Sequence, residues 1–212
     1  YEQTNGRGRY GNIWFSPFGN FYFSFLLRSE KKPSYKAKLV FLIGIAVCDL
    51  IVKITNKNII PTIKWPNDIL INRKKVSGIL LENYINKNGA NYIIAGIGIN
   101  INSHPSDVSY SATNLFIETN QSYDLITLGK NLLSEFDKLI LKFNDLGFSS
   151  IRNKWLSYSI PIGTKIRVKI NSKNKKEGFY RGIDAKGALL FECLDGKMQS
   201  YLSSEIIEEV LF

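Results

Sequence analysis

Apolar and polar positions along the chain follow two periods, and the balance between them changes near residue 160. NFYFSFLL (20–27) is a nearly unbroken aromatic and aliphatic run that predicts a buried strand. After Pro33 and Ser34, the residues Leu39, Ile43, Ala46, Leu50 and Ile54 recur at three- and four-residue steps, one face of a helix. IIPTIKW (59–65) reads as extended, and Pro61 favours an edge or irregular strand. DILIN and VSGILLENYI flank RKK, which predicts a hairpin; NKNGAN is the next turn and NYIIAGIGINI the next strand. Residues 102–122, rich in Ser, Asn and Thr, predict a loop. Leu125, Leu128, Leu132, Phe136, Leu139 and Phe143 restore the helical period, Gly147 suits its end, and residues 151–156 fit one more short helix.

Past Pro161, Ile162 and Gly163 the pattern shortens. KIRVKI alternates strictly, GFYRGID, GALLFECL and KMQSYL are brief strands, and Lys186-Gly187 and Asp195-Gly196 are turn pairs. A run of about fifty residues built this way predicts a small β barrel. The sequence holds no internal repeat and no low-complexity tract. The expected fold class is α+β: a mixed, mostly antiparallel sheet packed with helices over residues 1–160, then a small barrel over 161–212.

Composition narrows this picture. With 212 residues and 44% hydrophobic content the chain can bury one sizeable core, which excludes a disordered protein. The formal charge is +10, and residues from 162 onward supply only +2 of it, from 9 basic and 7 acidic side chains. A basic balance admits nucleic acid, nucleotides or acidic proteins as partners. The tail lacks a dense aromatic-basic face, which argues against nucleic acid there. Cys48 and Cys193 are far apart in apolar patterns and predict two reduced thiols, and the single His104 sits in a polar stretch. Zinc chemistry and Ser-His catalysis therefore lack their residues. No signal peptide is visible and the longest apolar run, 39–48, is too short to span a bilayer, so a cytoplasmic protein without a membrane partner is expected.

Four stretches interrupt the apolar pattern with chemistry. GRGRYG (6–11) fits the dinucleotide expression G-x-G-x-x-G, but NIWFSPFG follows it where a helix should start. What survives is a bendable backbone carrying Arg7 and Arg9, two guanidiniums suited to a carboxylate or a phosphate. KWPNDILI (64–71) places Lys64 and Asp68 four residues apart around Asn67; the lysine can offset charge on a phosphoryl group, and the carboxylate can hold Mg2+ or take a proton. KKVSGILLE (74–82) puts Lys75 before an apolar strand, and GIGIN (96–100) places two glycines in a strand that ends at Asn100, a pattern that suits close approach of a ligand or of another backbone. Read singly, each also fits an ordinary basic turn, a Pro-Asn-Asp turn or a solvated hairpin lysine.

Taken in order and spacing, GRGRYGNIWFSPFGN, KWPNDIL, KKVSGILLE and GIGININ closely resemble the biotin protein ligases, and YRGIDAKGALLFE resembles that family's C-terminal domain. The resemblance implies a class II synthetase-like catalytic domain followed by an SH3-like barrel. It implies an ATP-dependent biotin–[acetyl-CoA-carboxylase] ligase that uses Mg2+, activates biotin to biotinyl-5′-AMP and transfers it to a specific lysine of a biotin carboxyl carrier protein or domain. Position by position it implies biotin contacts from Gln3, Arg7, Gly8, Arg9 and Lys75. Trp14, Asn67 and Asn100 would serve ATP and the adenylate. Arg9, Lys64, Asp68 and Lys75 would be the catalytic group, with Asp68 the candidate Mg2+ ligand. An acyl-adenylating enzyme needs cations that bring two anions together and a lid that shields a labile anhydride, not a covalent nucleophile.

The family loop often has Arg where this chain has Tyr10. Members also have a Ser-Thr-rich biotin-contacting segment and a helix upstream of Gln3, so the expectation is a catalytic domain lacking its N-terminal part. Some members carry an N-terminal DNA-binding domain; this chain itself does not indicate DNA, and a homodimer stays open. The alternatives are a lipoate ligase or lipoyl/octanoyl transferase of the same fold, which the pairing of KWPNDI with GRGR disfavours, and a non-catalytic binding or regulatory protein.

Overall fold

Two antiparallel sheets and four helices are present in the computed structural model, which describes residues 2–28, 33–170, 174–202 and 206–211. In chain order the elements are β1 (Phe21–Arg28), α1 (Pro33–Ile54), β2 (Thr62–Lys64), β3 (Asp68–Ile71), β4 (Lys74–Ile85) and β5 (Asn91–Ile99). Then come α2 (Leu115–Thr119), α3 (Leu125–Leu146), α4 (Ser149–Tyr158), β6 (Lys165–Lys169), β7 (Lys175–Ile183), β8 (Leu189–Cys193), β9 (Met198–Tyr201) and β10 (Ile206–Leu211). The first sheet runs β1-β5-β4-β3-β2 and the second β10-β6-β7-β8-β9. The α+β class read from the sequence is what the chain adopts. The second unit is a five-stranded antiparallel sheet whose strand order is open among the described residues.

The period-2 pattern gives the first sheet two unlike faces. Ile63, Ile69, Ile79, Ala95, Ile97 and Ile99 point to the back and are buried. Helix α1 covers them, and its Leu39, Leu42, Ile43, Ala46, Leu50 and Ile51 are fully buried, so it is a core helix enclosed nearly all round. A Cβ on Gly44 would touch Ile63, Ile69 and Ile79 in ordinary contact, which locates α1 against β2–β4. Helix α3 lies behind β1, where Phe25 meets Phe136 with ring centroids 5.0 Å apart. Each such buried Leu, Ile or Phe stabilises the fold by about 1.5–3 kcal/mol. The front face is small, charged or open, and this asymmetry positions the site.

Local chemistry shifted two boundaries. The β3–β4 turn is Asn72-Arg73, both at positive φ (48° and 66°), so Lys74 and Lys75 start β4 instead of forming the turn. Within the polar stretch 102–122 the short helix α2 forms because Asn114 caps it, its side-chain oxygen accepting from the Ile117 N–H at 2.8 Å. Polar composition concealed a one-turn helix whose only strong signal was its cap.

The second sheet docks on the helices and on the KWPND segment. The Trp65 indole N–H donates to the Gly187 carbonyl at 3.1 Å, and the Arg152 guanidinium donates twice to the Ile183 carbonyl at 2.6 and 2.9 Å. A Cβ on Gly187 would stand 2.7 Å from the Phe41 ring, so the β7–β8 turn sits directly on α1. The open front of the first sheet and one face of β6–β7 thus come to border the same space.

Candidate active site

A cavity of about 1210 Å³ opens on the front of the first sheet. Its floor is built from register partners on neighbouring strands: Asp68 opposite Gly78, Gly78 opposite Gly98, and Leu80 opposite Gly96. Strand pairing therefore places three of the four sequence motifs side by side. Between Ile69 and Leu70 the β3–β4 register shifts, leaving Val76 as an extra residue on β4. A bulge of this kind reverses which face a side chain takes. It puts the Lys75 stem 3.5 Å from where a Gly78 Cβ would be, on the cavity side.

Lys64, Asp68 and Lys75 form one ion-paired group. The Lys75 ammonium lies 2.8 Å from one Asp68 oxygen and the Lys64 ammonium 3.3 Å from the other. All three side chains are less than a fifth exposed. Burial alone pushes the Asp68 carboxyl up, but the charges and hydrogen bonds of Lys75 and Lys64 outweigh it and hold the group below the usual carboxylate range. Lys75 also sits between two rings, 5.4 Å from the Trp14 centroid and 5.1 Å from that of Tyr110. Each Asp68 oxygen is engaged by one ammonium. Among the described residues no group of three or more His, Cys, Asp and Glu side chains could hold a metal. Asp68 is a single carboxylate here, and Mg2+ at such sites commonly takes its remaining ligands from water and substrate phosphates.

The GRGRYG loop forms the roof. It is a narrow hairpin: the Trp14 N–H donates to the Gly6 carbonyl at 3.0 Å and the Gly8 N–H to the Asn12 carbonyl at 2.7 Å, with a turn at Arg9–Gly11. A strand, β1, follows this segment where the dinucleotide fold would have a helix. Gly6 is required by contact, since a Cβ there would overlap the Trp14 carbonyl and the Ser16 hydroxyl. At the tip Tyr10 is a non-glycine residue in the left-handed region, φ 58°. Arg9 reaches back across the cavity to the Asn67 amide oxygen at 3.1 Å, and Asn67 in turn donates to the Ile79 carbonyl at 3.0 Å. Burial lowers the Arg9 pKa, an effect offset in part by Tyr10 and Asp68. Arg7 pairs with Glu82 at 3.0 Å. Gln3 is tied to Ser16 through its backbone N–H and its side-chain oxygen, both at 3.0 Å.

Trp14 lies against the two floor glycines. A Cβ on Gly98 would overlap its indole, and one on Gly78 would come within 2.9 Å. The sequence pattern called for close approach at these glycines, and an aromatic ring makes it. The indole N–H is buried and has no hydrogen-bond partner among the described residues, a cost of about 1–3 kcal/mol unless a ligand atom accepts from it.

Of the ten residues singled out by the motifs and the family resemblance, nine border this cavity: Gln3, Arg7, Gly8, Arg9, Trp14, Lys64, Asn67, Asp68 and Lys75. Asn100 does not. It is 3% exposed, donates its side-chain amide to the Thr113 carbonyl at 3.0 Å, and its own carbonyl accepts from Leu115 N–H at 3.0 Å. It fastens the end of the 102–113 loop. That loop pairs with Lys75 itself, whose N–H donates to the Ser111 carbonyl at 2.8 Å and whose carbonyl accepts from Thr113 at 2.9 Å. The pairing brings Val108 and Tyr110 to the cavity, two residues that sequence reasoning missed. Burial, then the Asp68 charge, raises the Tyr110 pKa. The only sequence signal for them was an aromatic and a Val inside an otherwise polar loop.

Comparison with known proteins places the chain among relatives of known family. The model of the Biotin/lipoate A/B protein ligase family matches residues 1–100, and that of the Biotin protein ligase C terminal domain matches residues 162–207. The chain is 35% identical over 205 residues to the Bifunctional ligase/repressor BirA of Bacillus subtilis, covering 94% of this chain and 62% of that protein. It is 33% identical over 194 residues to the Biotin--[acetyl-CoA-carboxylase] ligase of Paracoccus denitrificans, covering 89% of this chain and 80% of that one. The solved biotin protein ligase from Aquifex aeolicus in complex with biotin and ATP superposes with a TM-score of 0.82 at 31% identity, covering 95% of this chain and 83% of that one. The chain thus spans less than two thirds of the Bacillus relative's length.

Proposed function

Because the chain belongs to the biotin protein ligase family, we propose that it acts as an ATP-dependent biotin–[acetyl-CoA-carboxylase] ligase. In the first step a biotin carboxylate oxygen bonds to the α-phosphorus of ATP and the bond to the pyrophosphate oxygen breaks. In the second, the amine of an acceptor lysine attacks the acyl carbon of biotinyl-5′-AMP, the acyl–oxygen bond breaks, AMP leaves, and the nitrogen gives up a proton as the amide forms. The acceptor is a biotin carboxyl carrier protein or domain.

The observation that carries this reading is the ion-paired group Lys64–Asp68–Lys75 on the floor of a cavity roofed by Arg9. Joining two anions is opposed by their repulsion, and fixed cations in a partly buried site lower that cost without reorganising. Lys75 is assigned to the meeting point of carboxylate and α-phosphate, Lys64 to the phosphate side, and Asp68 to holding both ammoniums in place and charged. Arg9, with Arg7, Gly8 and Gln3, is assigned to closing over biotin and its adenylate. Trp14, with its unpartnered buried N–H, and Asn67 are assigned to the nucleotide side, together with Tyr110 and Val108 from the loop above. Asn100 is assigned to positioning that loop. Among the described residues no helix is long and apolar enough to cross a membrane.

The test is pyrophosphate release from ATP by the full-length protein, with the mass of a carrier domain followed in parallel. Release that requires biotin, followed by a one-biotin gain on a single acceptor lysine, is the expected outcome. Release that lipoate stimulates as strongly as biotin does would assign a lipoate ligase instead.

A further inference from the structure

The roof hairpin and the loop 102–113 come from distant parts of the chain, and one buried side chain joins them. Asn20 closes the SPFGN stretch that leads from the hairpin into β1. Its side-chain oxygen accepts from three successive backbone N–H groups, those of Ile101 at 2.9 Å, Asn102 at 2.9 Å and Ser103 at 3.1 Å. Its amide nitrogen donates to the Ser103 carbonyl at 2.9 Å and to the Ser103 hydroxyl at 3.3 Å. Asn20 is 2% exposed. Beside it the Asn102 amide donates to the Gly19 carbonyl at 3.0 Å. A Cβ on Gly19, at φ 89°, would stand 2.8 Å from that amide nitrogen, so glycine serves the turn by conformation and by contact. Successive N–H groups that converge on one point form a nest, an arrangement that elsewhere binds anions. Here the Asn20 oxygen fills it.

This grip fixes where the loop begins. Its other end is fixed by Asn100 and by the pairing of Ser111 and Thr113 with Lys75. Between the two ends, no backbone N–H or carbonyl of residues 104–110 has a hydrogen-bond partner among the described residues. The His104 ring nitrogen meets the Asn114 side-chain amide at 2.9 Å where this arch starts. Val108 and Tyr110 are carried on the arch and border the cavity, whereas Asn20 does not border it. A segment without backbone ties of its own takes its position from its ends, and pinning both lowers the entropy lost when it closes over a ligand.

We infer that Asn20 is a positioning residue for the nucleotide side of the cavity, acting through this loop. By holding residues 101–103 it sets where Val108 and Tyr110 stand over bound ATP. The inference rests on the ligase reading, which assigns those two residues to the nucleotide. Gln3, Arg7, Gly8 and Arg9, assigned to biotin, have hydrogen bonds that do not pass through Asn20, so its effect falls on ATP and not on biotin.

The test compares the full-length protein with its Asn20→Ala, Asn20→Asp and Asn102→Ala variants. ATP, titrated calorimetrically without biotin, should bind Asn20→Ala about tenfold more weakly than wild type. The KM for ATP should rise by a similar factor while the KM for biotin stays unchanged. In hydrogen exchange, the amides of 101–103 and Thr113 should exchange at least about tenfold faster, and those of Gly8 and Trp14 at the wild-type rate. Asn20→Asp keeps an oxygen in the nest, and ATP should bind it within about threefold of wild type. Asn102→Ala removes only the exposed bond to Gly19 and should weaken ATP about twofold, a readout that survives if Asn20→Ala does not fold. Unchanged ATP affinity in both Ala variants overturns the inference. So does an equal rise in both KM values, which would mark a general structural role, and so does an Asn20→Asp variant no better than Asn20→Ala. A wild-type protein without biotin-dependent turnover would sink the ligase reading, whereas the ATP affinities and exchange rates still decide the role of Asn20.

Discussion

Two motifs face each other across the cavity and are built on opposite principles. Lys64, Asp68 and Lys75 stand on three adjacent strands, fixed by ladder hydrogen bonds, by a bulge and by mutual ion pairs, and are largely buried. The GRGRYG loop is a hairpin outside either sheet. Its Arg7 side chain is 70% exposed, and Arg9 holds to the floor through a hydrogen bond to Asn67. On the proposed function the difference separates two tasks. The charges assigned to meet the substrates sit on strands, where reorganisation is already complete. The groups assigned to close over them sit on a segment outside both sheets.

Substitutions can break that division, in descending order of effect. Asp68→Ala leaves two ammoniums facing each other in a half-dry site; it should cost about 3 kcal/mol of stability in denaturant unfolding and reduce adenylation by at least about a hundredfold. A variant as stable as wild type would show that the three-residue group is not structural. Lys75→Ala should slow biotin-dependent pyrophosphate release about 100- to 1,000-fold while transfer from preformed biotinyl-AMP falls far less; equal losses in the two half-reactions would argue against its place at the α-phosphate. Gly98→Ala pushes the Trp14 indole off the floor and should cost about 1–3 kcal/mol, with a red-shifted tryptophan emission reporting the move. On the roof, Arg9→Ala should leave stability within about 1 kcal/mol of wild type yet speed the escape of biotinyl-AMP about tenfold, seen by rapid filtration. Arg7→Ala, at an exposed pair, should change stability by less than about 0.5 kcal/mol.

Acid sharpens the same contrast. The Asp68 pKa is depressed below its usual 3.8, so its stabilising contribution is fully present above that value and is lost as pH falls through the lower folded value. Asp68→Asn should therefore flatten the fall in stability on the acid side of about pH 4, read from unfolding curves, while Arg7→Ala leaves that limb unchanged.

Much of this was legible in the chain because strands write themselves at period two. The interruptions of the apolar runs, Lys64, Asn67 and Asp68 before ILI and the two glycines of GIGIN, marked where chemistry or close approach would lie. Three features escaped for physical reasons. The bulge at Val76 that turns Lys75 to the cavity leaves no mark in composition, although Lys75 itself was singled out in its motif. Tyr110 arrives through pairing of its loop with the Lys75 backbone, a long-range contact that no local pattern encodes. Asn100, at the end of a glycine-rich strand, resembles a ligand contact in sequence, yet it is a buried clamp on Thr113. The tail's charge of +2 averages over its whole surface, whereas three of its cations, Arg167, Lys169 and Lys175, border the cavity.

ATP–pyrophosphate exchange tests the account most directly, run with and without biotin on wild type, Lys75→Ala and Arg9→Ala in parallel. The account predicts exchange that depends on biotin, falls about 100- to 1,000-fold in Lys75→Ala and persists with Arg9→Ala alongside faster loss of the adenylate. Exchange at the wild-type rate in Lys75→Ala, or exchange indifferent to biotin, would contradict it.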